Sequence, residues 1–474
     1  MIHKNNNNAR REAPEKPRRG ALGNNAKSFS PPEEKTEEIR FNRSERYRLL
    51  SQARTLLFNE GKKAGLAYPA NYHQTAKCIH TRLGDNVQLY QSNEHKKAFF
   101  GGVVQCGRVF TCPVCAAKVQ ERRRIEIAKA FDYAYDQGKK VIMITITFPH
   151  QRTQHLKDLL RMQSESLARL RSGKAWQNRK KGVGYTGLIR SLEITHSDRN
   201  GWHPHTHEAW IVDKTVNVET FREWLANRWH SVCIKSGLLT EEYEKTEYFL
   251  EHSIQITDNC SNSDYLAKLD DSKHWGADAE LAKSSVKQAK GKGVHPYEFL
   301  SLSMAGDKQA GRRFIEYADA MRGKAQIFWS RGLKKLVNVE ELTDEEIAAK
   351  IEDAADLLGH LDVNDWRVIK TANAQAFVLD IAERSGMIGV RTFIEDCQVL
   401  LTPDDTAEVP TEIRVIRTRL SKKMREQGSE IITEIVRTEQ GRAKYWAEFD
   451  ARQKQNRELI LQNTLAHIWE LFPQ

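Results

Sequence analysis

Residues 192–213, LEITHSDRNGWHPHTHEAWIVD, predict two β-strands joined by the polar turn SDRNG. In a strand, side chains two positions apart project from the same face, so His203, His205 and His207 would line one face of the second strand. A metal ion would explain both this alignment and the residue type. The stretch therefore predicts a metal-binding hairpin, and the competing interpretation is a hairpin whose histidines are only partly exposed.

The segments around this hairpin alternate between strand and helix patterns. A β-branched, mostly apolar run at 140–148 predicts a buried strand, and leucines at helical spacing follow it at 155–173. After the hairpin come an amphipathic helix at 218–237, a strand at 252–258 and a helix from about 262. The order β-α-β-β-α-β predicts an α+β fold of ferredoxin-like order, with a central antiparallel sheet and helices on one face.

The carboxylate best placed to join the histidines is Glu193 on the partner strand. A tight two-residue Asn-Gly turn would pair Glu193 with Glu208, on the face away from the histidines. A three-residue turn over 199–201 would instead pair Glu193 directly with His207. The two registers are exclusive because a slip of one residue turns every side chain to the other face. We favour the second, since an isolated Glu in mid-strand needs a partner. Imidazoles with a carboxylate suit Mg²⁺, Mn²⁺ or Zn²⁺.

A tyrosine and a lysine on the following helix suggest covalent chemistry. Tyr265 and Lys268 in SDYLAKL are three residues apart, hence on one helix face. A free phenol is a poor nucleophile, but a nearby cation lowers its pKa and a metal on a phosphate eases attack at phosphorus. Tyrosine, lysine and metal together point to phosphodiester cleavage through a phosphotyrosine bond. The alternative is a Tyr265 that only packs on the sheet.

Four of the seven cysteines form a candidate zinc site. The segment CGRVFTCPVC carries Cys106, Cys112 and Cys115, and its C-P-x-C knuckle matches half of a structural zinc site. Cys78 is the preferred fourth thiolate, with His73 or His80 as the alternative. Four thiolates would close the coordination shell, which predicts a structural Zn²⁺; buried reduced cysteines are the competing interpretation. The remaining ones, Cys233, Cys260 and Cys397, are scattered, and core packing explains them.

The formal charge of +11 favours a polyanionic partner, nucleic acid before membrane, over a merely solvated basic surface. The helix predicted at 118–131 has a basic face that could meet DNA phosphates or water. No apolar run approaches the length of a bilayer span, and the polar N-terminus does not resemble a secretory signal. We therefore expect a cytoplasmic protein.

Composition divides the chain into five segments. The first is a basic tail that we expect to be disordered, and the second a helical region with the cysteine knuckle. An α+β domain with the predicted sheet, a helical acidic domain and a linker with a basic C-terminal segment follow. Their predicted bounds are 1–40, 41–135, 136–335, 336–400 and 401–474.

Three motifs in order, MITITF, HPHTH and YLAK, resemble those of HUH endonucleases, named for two histidines separated by one usually hydrophobic residue. The chain is more closely similar to rolling-circle replication initiator (Rep) proteins of small bacterial plasmids, since CGRVFTCPVCAAKVQERRR and FWSRGLKK add to the likeness. The resemblance covers roughly residues 75–335, with a weaker echo to about 400.

That resemblance implies a fold, a reaction and a set of partners. His205 and His207 would bind a divalent metal, with Mg²⁺ or Mn²⁺ expected, and Glu193 and His203 complete the candidate ligand set. Tyr265 would attack origin DNA, leaving a 5′-phosphotyrosyl link and a 3′-OH primer, while Lys268 would orient the tyrosine or stabilise charge beside it. Single-stranded or supercoiled origin DNA, a host helicase and a host polymerase are the expected partners, and a homo-oligomer is possible.

The sequence departs from the family pattern at two positions. Thr206 stands where the HUH motif usually has a large apolar residue, a mild change because it faces away from the metal. Some relatives carry a Glu four residues before the tyrosine, to activate the water that ends the cycle, and this chain has Ser261 there. Asp264 is adjacent but lies about 100° round the helix. The terminating group therefore stays open.

Other functions remain open from sequence alone. Within the same chemistry the alternatives are a transposase or a conjugative relaxase. A different class is a zinc-containing DNA-binding regulator without catalysis, and a third is a small-molecule phosphohydrolase that uses His203, His205 and His207. Each makes a distinct prediction for the role of Tyr265.

Overall fold

The computed structural model describes residues 33–240, 245–262, 265, 293–350, 355–401 and 426–471. The chain divides into two units, Met1–Ile39 and Arg40–Gln474, and both sheets lie in the second. Residues 1–32 of the predicted tail lie outside the described residues, as do Asp264 and Lys268. Among the helices that the structure describes, none is both long enough and apolar enough to span a bilayer.

A five-stranded antiparallel sheet forms the centre of the fold, with strand order β6-β3-β5-β4-β7. The predicted α+β class with an antiparallel sheet is confirmed. All four strands expected from the sequence are present, and a short fifth strand, β7, extends the sheet beside β4. The bounds are β3 Lys139–Ile146, β4 Gly187–Ser197, β5 Gly201–Asp213, β6 Ile254–Thr257 and β7 Ile327–Trp329.

Two helices connect β3 to β4, and two described helices lie between β5 and β6, where the sequence pattern had predicted one in each place. The leucines of α4 and the large apolar residues of α6 are buried on one face of the sheet, together with Ile142, Ile144 and Trp210. These contacts explain the helical spacing of the apolar residues. The bounds are α4 Leu156–Leu170, α5 Gly173–Gly182, α6 Val218–Lys235 and α7 Thr246–His252.

The opposite face of the sheet is covered as well, so the prediction of helices on one face only was wrong. Helix α3, Pro113–Asp136, buries Ile127 and Phe131 against Val141 and Met143 of β3. The uninterrupted apolar run of β3 is the signature of a strand buried on both faces. At the end of this face that carries the histidines, the Glu193 side chain remains partly exposed.

The hairpin between β4 and β5 has neither of the two registers considered from sequence. Glu193 pairs with His205, and Ser197 pairs with Gly201 around a loop at 198–200. The turn lies one residue earlier than predicted because Gly201 adopts a φ of +77°, which glycine tolerates best, and begins the strand. The shift from the favoured register is two residues, so Glu193 keeps the face of the histidines.

A second, three-stranded sheet packs beside the cysteine knuckle, with order β2-β1-β8. Its strands are β1 Val87–Ser92, β2 Ala98–Gly101 and β8 Ala355–Leu361. The domain predicted to be helical over 336–400 thus also contains a strand, β8, whose antiparallel pairing with β1 joins segments far apart in the chain. Such pairing leaves no local signal beyond the alternation of side chains.

The remaining helices pack around these two sheets. The first two, α1 Glu33–Lys63 and α2 Gln74–Lys77, precede the knuckle. Helices α8 Glu298–Met304, α9 Lys308–Ala320, α10 Leu333–Leu336 and α11 Asp344–Ala349 follow the gap after residue 265. The C-terminal region is helical as predicted, with α12 Val363–Thr371, α13 Gln375–Leu401, α14 at 426–437 and α15 Glu439–Leu471.

Candidate metal centres and the buried tyrosine

Glu193, His205 and His207 converge at one end of the central sheet. The Glu193 Oε2 atom lies 3.1 Å from Nε2 of His205 and 3.0 Å from Nε2 of His207. Pairing explains the convergence, because Glu193 stands directly opposite His205 while His207 is the next residue on the same face of β5. One ligand atom from each residue lies within 4.8 Å of the other two. Two imidazoles and a carboxylate form a donor set that suits a divalent cation.

Hydrogen bonds orient the two imidazoles of this cluster. The Thr145 hydroxyl lies 3.0 Å from Nδ1 of His207, which leaves Nε2 directed at Glu193. Burial raises the pKa of the Glu193 carboxyl, but hydrogen bonds with the two imidazoles lower it by a larger amount. The net pKa therefore lies below its ordinary value. The Glu193 side chain is 26% exposed. A cation held by these three groups would thus keep coordination positions open to a substrate.

His203, the third histidine of the motif, lies next to this cluster, but its Nε2 atom contacts a residue outside the cluster. That atom is 2.7 Å from the Thr147 hydroxyl, and the ring stacks on His205 at a centroid distance of 4.9 Å. On its other side the His203 ring stacks on His150 at 4.7 Å. Burial lowers the pKa of His203 to about 3, with His205 adding to the effect. His150, which follows β3 without any motif, was not identified from sequence.

Tyr265 lies on the same face of the sheet as the cluster but is completely buried. Its hydroxyl is a shared donor, 3.3 Å from the backbone carbonyl oxygens of both Ile189 and His207. The ring packs on Phe131 of α3 at a centroid distance of 5.7 Å. Burial raises the pKa of the Tyr265 phenol above its ordinary value. In this position the phenol is protonated and donates to the backbone of His207, one of the two histidines of the cluster. Its predicted companion, Lys268, lies outside the described residues.

The four cysteines of the knuckle region form a second cluster, fully buried. The Sγ atom of Cys78 lies 3.5 Å from that of Cys115 and 3.6 Å from that of Cys112, and Cys106 lies 3.8 Å from Cys115. A tetrahedron with Zn–S bonds of about 2.3 Å has edges of roughly 3.8 Å, whereas a disulfide bond is about 2.05 Å long. The thiols are thus spaced for one tetrahedral metal ion.

The surroundings of the cysteine cluster match a closed site. The Cys115 amide donates to the Cys112 sulfur at 3.4 Å, and buried Arg54 donates to the carbonyl oxygens of Cys78 and Ile79. A buried guanidinium favours the negative charge that four thiolates carry. The two histidines considered as alternative ligands lie outside the cluster, and Nδ1 of His73 instead accepts a hydrogen bond from the Thr75 amide.

The basic face of α3 contacts protein. Arg123 bonds Glu126, Asp344 and the Leu342 carbonyl, and its side chain is only 11% exposed. Lys118 donates to the carbonyl oxygens of Ala348 and Lys350. Much of the positive charge that suggested DNA contact therefore fixes α3 to the segment containing α11.

Comparison with known sequences relates the chain to replication proteins. A family model described as "Replication protein" matches residues 102–373, more than half of the chain. "Protein rep" of Streptomyces lividans is 29% identical over 300 residues, which are 50% of this chain and 65% of that protein. "Neomycin resistance protein" of Streptomyces cyanogenus is 31% identical over 135 residues, 23% of this chain and 31% of that protein. The chain thus spans less than two thirds of the length of either relative, and no solved structure matches it.

Proposed function

Because this chain belongs to the replication protein family, we propose that it initiates rolling-circle replication of a plasmid by nicking and rejoining origin DNA. The observation that carries the proposal is the convergence of Glu193, His205 and His207 on the sheet face that also holds Tyr265. A carboxylate–imidazole cluster beside a tyrosine is the minimum set for metal-assisted phosphotyrosine chemistry.

The sheet supports an HUH arrangement for this chain. Without the edge strand β7, the spatial order is β6-β3-β5-β4. The first strand of the β-α-β-β-α-β unit, β3, thus lies between the last strand, β6, and the second hairpin strand, β5. The histidine strand β5 is therefore central and flanked by β3 and β4, which supply Thr145 and Glu193. A central strand is held by hydrogen bonds on both sides, which fixes its ligands precisely enough for catalysis.

Glu193, His205 and His207 would hold Mg²⁺ or Mn²⁺. When bound, the cation would polarise the phosphoryl oxygens and make the phosphorus easier to attack. His203 was predicted as a further ligand; since its Nε2 contacts Thr147, we propose that it supports His205 by stacking instead. Thr145 orients His207, a contact of the kind that tunes ligand basicity.

In the proposed reaction the Tyr265 oxygen attacks a backbone phosphorus, and the bond from phosphorus to the 3′ oxygen breaks. The phenol proton passes to solvent or a base, and the leaving 3′ oxygen takes up a proton to give a 3′-OH. The 5′ phosphate stays esterified to the tyrosine, and attack by a 3′-OH on that ester reverses the step and rejoins the strand. We propose that Lys268 offsets negative charge near the tyrosine.

Burial of Tyr265 has a consequence for this reaction. Its hydroxyl donates to two carbonyl oxygens, and burial raises the pKa of the phenol. Attack therefore requires the hydroxyl to leave the carbonyl oxygens of Ile189 and His207 and meet the phosphate. Proximity to the cation would lower the pKa of the phenol.

The cysteine cluster would hold Zn²⁺ as a structural ion. All four positions of a tetrahedron are supplied by protein thiolates, so no position is left for substrate. The proposed partners are single-stranded or supercoiled origin DNA, attracted by the net charge of +11, and the host helicase and polymerase.

The test is to incubate the protein with supercoiled and single-stranded origin DNA and Mn²⁺, then to look for protein attached to a 5′ end. Tyr265→Phe removes only the hydroxyl and should abolish the adduct while DNA binding persists. Exposed Tyr248→Phe is the matched control and should leave the adduct unchanged. A wild-type protein that binds DNA but gives no adduct would instead be a zinc-containing regulator, and hydrolysis indifferent to Tyr265→Phe would indicate a phosphohydrolase. A host-replicon assay separates an initiator from a relaxase or transposase.

A further inference from the structure

A cavity of about 540 Å³ lies between the knuckle loop and the edge of the central sheet. Its walls come from the knuckle loop at 107–111, the end of α9, the start of α11 and Ile327 of β7. The volume falls in the range of about 300–1,000 Å³ that is common for small-molecule and cofactor sites. None of the residues assigned to metal binding or attack lines it.

The cavity combines apolar walls with a cationic rim. Val109, Phe110 and Met321 contribute apolar surface, while Arg322 and Lys324 are exposed at the edge. The side chain of Arg322 is 66% exposed, and its guanidinium lies 3.7 Å from the Asp319 carboxylate, which is a weak pairing. Among the described residues no carboxylate lies within 4.0 Å of the Lys324 ammonium.

Charge at the cavity is positive overall. Four of its lining residues are cationic and two are anionic, an excess of two positive charges at neutral pH. Arg123 is neutralised by Asp344 at 2.8 Å, and Arg108 by Glu345 at 3.0 Å. The excess therefore rests on the two cations at the rim, Arg322 and Lys324. A site with apolar walls and, at its mouth, cations that are at most weakly paired among the described residues suits a ligand with one apolar and one anionic part.

His73 adds a neutral hydrogen-bond donor to the cavity wall. Its Nδ1 accepts from the Thr75 amide at 3.2 Å, so the ring proton is on Nε2. Burial, together with Arg322 and Arg108, lowers the pKa of His73 to about 4, which keeps the ring neutral. Its Nε2–H has no hydrogen-bond partner within the part of the chain that the structure describes and can donate to an oxygen or nitrogen of a ligand.

One wall of the cavity, Ile327, lies on the same sheet face as the proposed catalytic site. Ile327 pairs with Ser191 on β4, and Ser191 pairs with His207 on β5. Directly opposed residues point their side chains to the same face, and two strand spacings amount to about 10 Å. A DNA strand with one phosphate at Glu193, His205 and His207 would therefore bring a neighbouring nucleotide to this cavity.

We propose that the cavity receives one nucleotide of the single-stranded DNA next to the phosphate that is cut. The base would lie against Val109, Phe110 and Met321, and the Nε2–H of His73 would donate to its edge. Arg322 and Lys324 would contact the adjoining phosphates. This inference rests on the proposed function, because only that function identifies the ligand as the DNA strand that is cut.

The knuckle holds one wall of the cavity in place. The loop at 107–111 lies between Cys106 and Cys112, and the Tyr297 hydroxyl donates to its Val109 carbonyl at 2.7 Å. Gly107 has a φ of +61°, and a Cβ there would meet the Glu345 backbone at 2.6 Å. This close approach, with the Zn²⁺ that the four cysteines would hold, would set the shape of the nucleotide site and would give the knuckle a role in substrate binding.

The test measures the affinity of a labelled single-stranded origin oligonucleotide by fluorescence anisotropy across a salt series. The double variant Arg322→Ala/Lys324→Ala should bind on the order of tenfold more weakly at physiological salt. Its salt slope should fall by about 1.4, or 0.7 for each phosphate that the variant no longer neutralises. Arg161→Ala/Lys174→Ala removes the same charge from exposed positions on α4 and α5 and should change affinity less than about threefold. Equal losses of affinity in the two pairs, or no loss at the cavity, would overturn the proposal.

A second measurement tests for the base. An abasic site is moved along the oligonucleotide, and one position should weaken wild-type binding more than its neighbours. Ala325→Glu places a longer acidic side chain at the exposed mouth of the cavity and should remove that positional effect. A profile without such a position, or one unchanged by Ala325→Glu, contradicts the nucleotide site.

These binding measurements stand apart from the test for nicking. If wild-type protein gives no 5′ adduct but the cavity variants still bind more weakly than the control pair, the proposed function fails and the nucleotide site stands. If the adduct forms normally and the cavity variants bind like wild type, only the nucleotide site fails.

Discussion

The two candidate metal centres of this protein differ in ligand chemistry, exposure and completeness. The cysteine cluster offers four buried thiols, spaced 3.5–3.8 Å apart in the measured pairs. The sheet cluster offers two imidazoles and one carboxylate, and Glu193 remains 26% exposed. A complete thiolate shell leaves nothing for a substrate to bind, whereas a three-ligand site does. We therefore propose that the cysteine centre holds the fold and that the sheet centre acts on a ligand.

The largest expected effect on activity concerns catalysis at the sheet cluster. His207→Ala should reduce nicking about 10³-fold, roughly 4 kcal/mol of transition-state stabilisation, because the variant lacks one metal ligand. Because His207 is buried, the thermal unfolding temperature is measured on the same sample to confirm that the variant is folded under the assay conditions. Exposed His95→Ala is the control. Nicking at the wild-type rate by His207→Ala would remove the sheet cluster from the reaction.

The cysteine cluster should show the opposite behaviour. Cys112→Ser should lower the free energy of unfolding by more than about 4 kcal/mol, since it breaks a buried metal site. Chemical denaturation checks this, with zinc content measured on the same sample. Cys397→Ala is the matched control, because Cys397 is buried but outside the cluster, and it should cost about 1 kcal/mol. Similar losses of stability in both variants would mean that the four cysteines only pack.

A smaller effect distinguishes the histidines within the sheet cluster. Thr145→Val removes the hydroxyl that orients His207 and should weaken Mn²⁺ binding about 10–100-fold in a calorimetric titration. Thr147→Val removes the equivalent contact of His203 and should have much less effect. Equal weakening by the two variants would place His203 among the ligands.

The smallest expected effect concerns a histidine on the face of the hairpin opposite the sheet cluster. His196 is buried between Trp202 and Phe299, and burial, with Arg313 next, lowers its pKa from 6.5 to about 4. Between pH 6.5 and about 4 the His196 imidazole is therefore protonated in the unfolded chain but neutral in the folded chain. Stability consequently falls as the pH falls towards 4. The loss of unfolding free energy between pH 7 and pH 5 should be about 2 kcal/mol larger in wild type than in His196→Gln.

Exposed His95→Gln is the control for this pH series and should keep the wild-type dependence. If His196→Gln retains the full loss between pH 7 and pH 5, the titrating group lies elsewhere.

The sequence by itself determined which residues are available and which face each occupies. The alternation of His203, His205 and His207 has the two-residue period of a strand, and a register error of two residues left Glu193 on their face. The spacing of the cysteines similarly predicted the four thiols that come together. Both patterns are local, so the chain carries them before it folds.

The tertiary structure alone decided the contacts between distant segments. It placed α3 on the second face of the sheet, paired β8 with β1, and buried Tyr265 behind His207. It also turned His73 towards a cavity that no motif indicated. The physical reason is that such contacts depend on which surfaces remain to be buried once the strands have paired, and no local period in the sequence records that outcome.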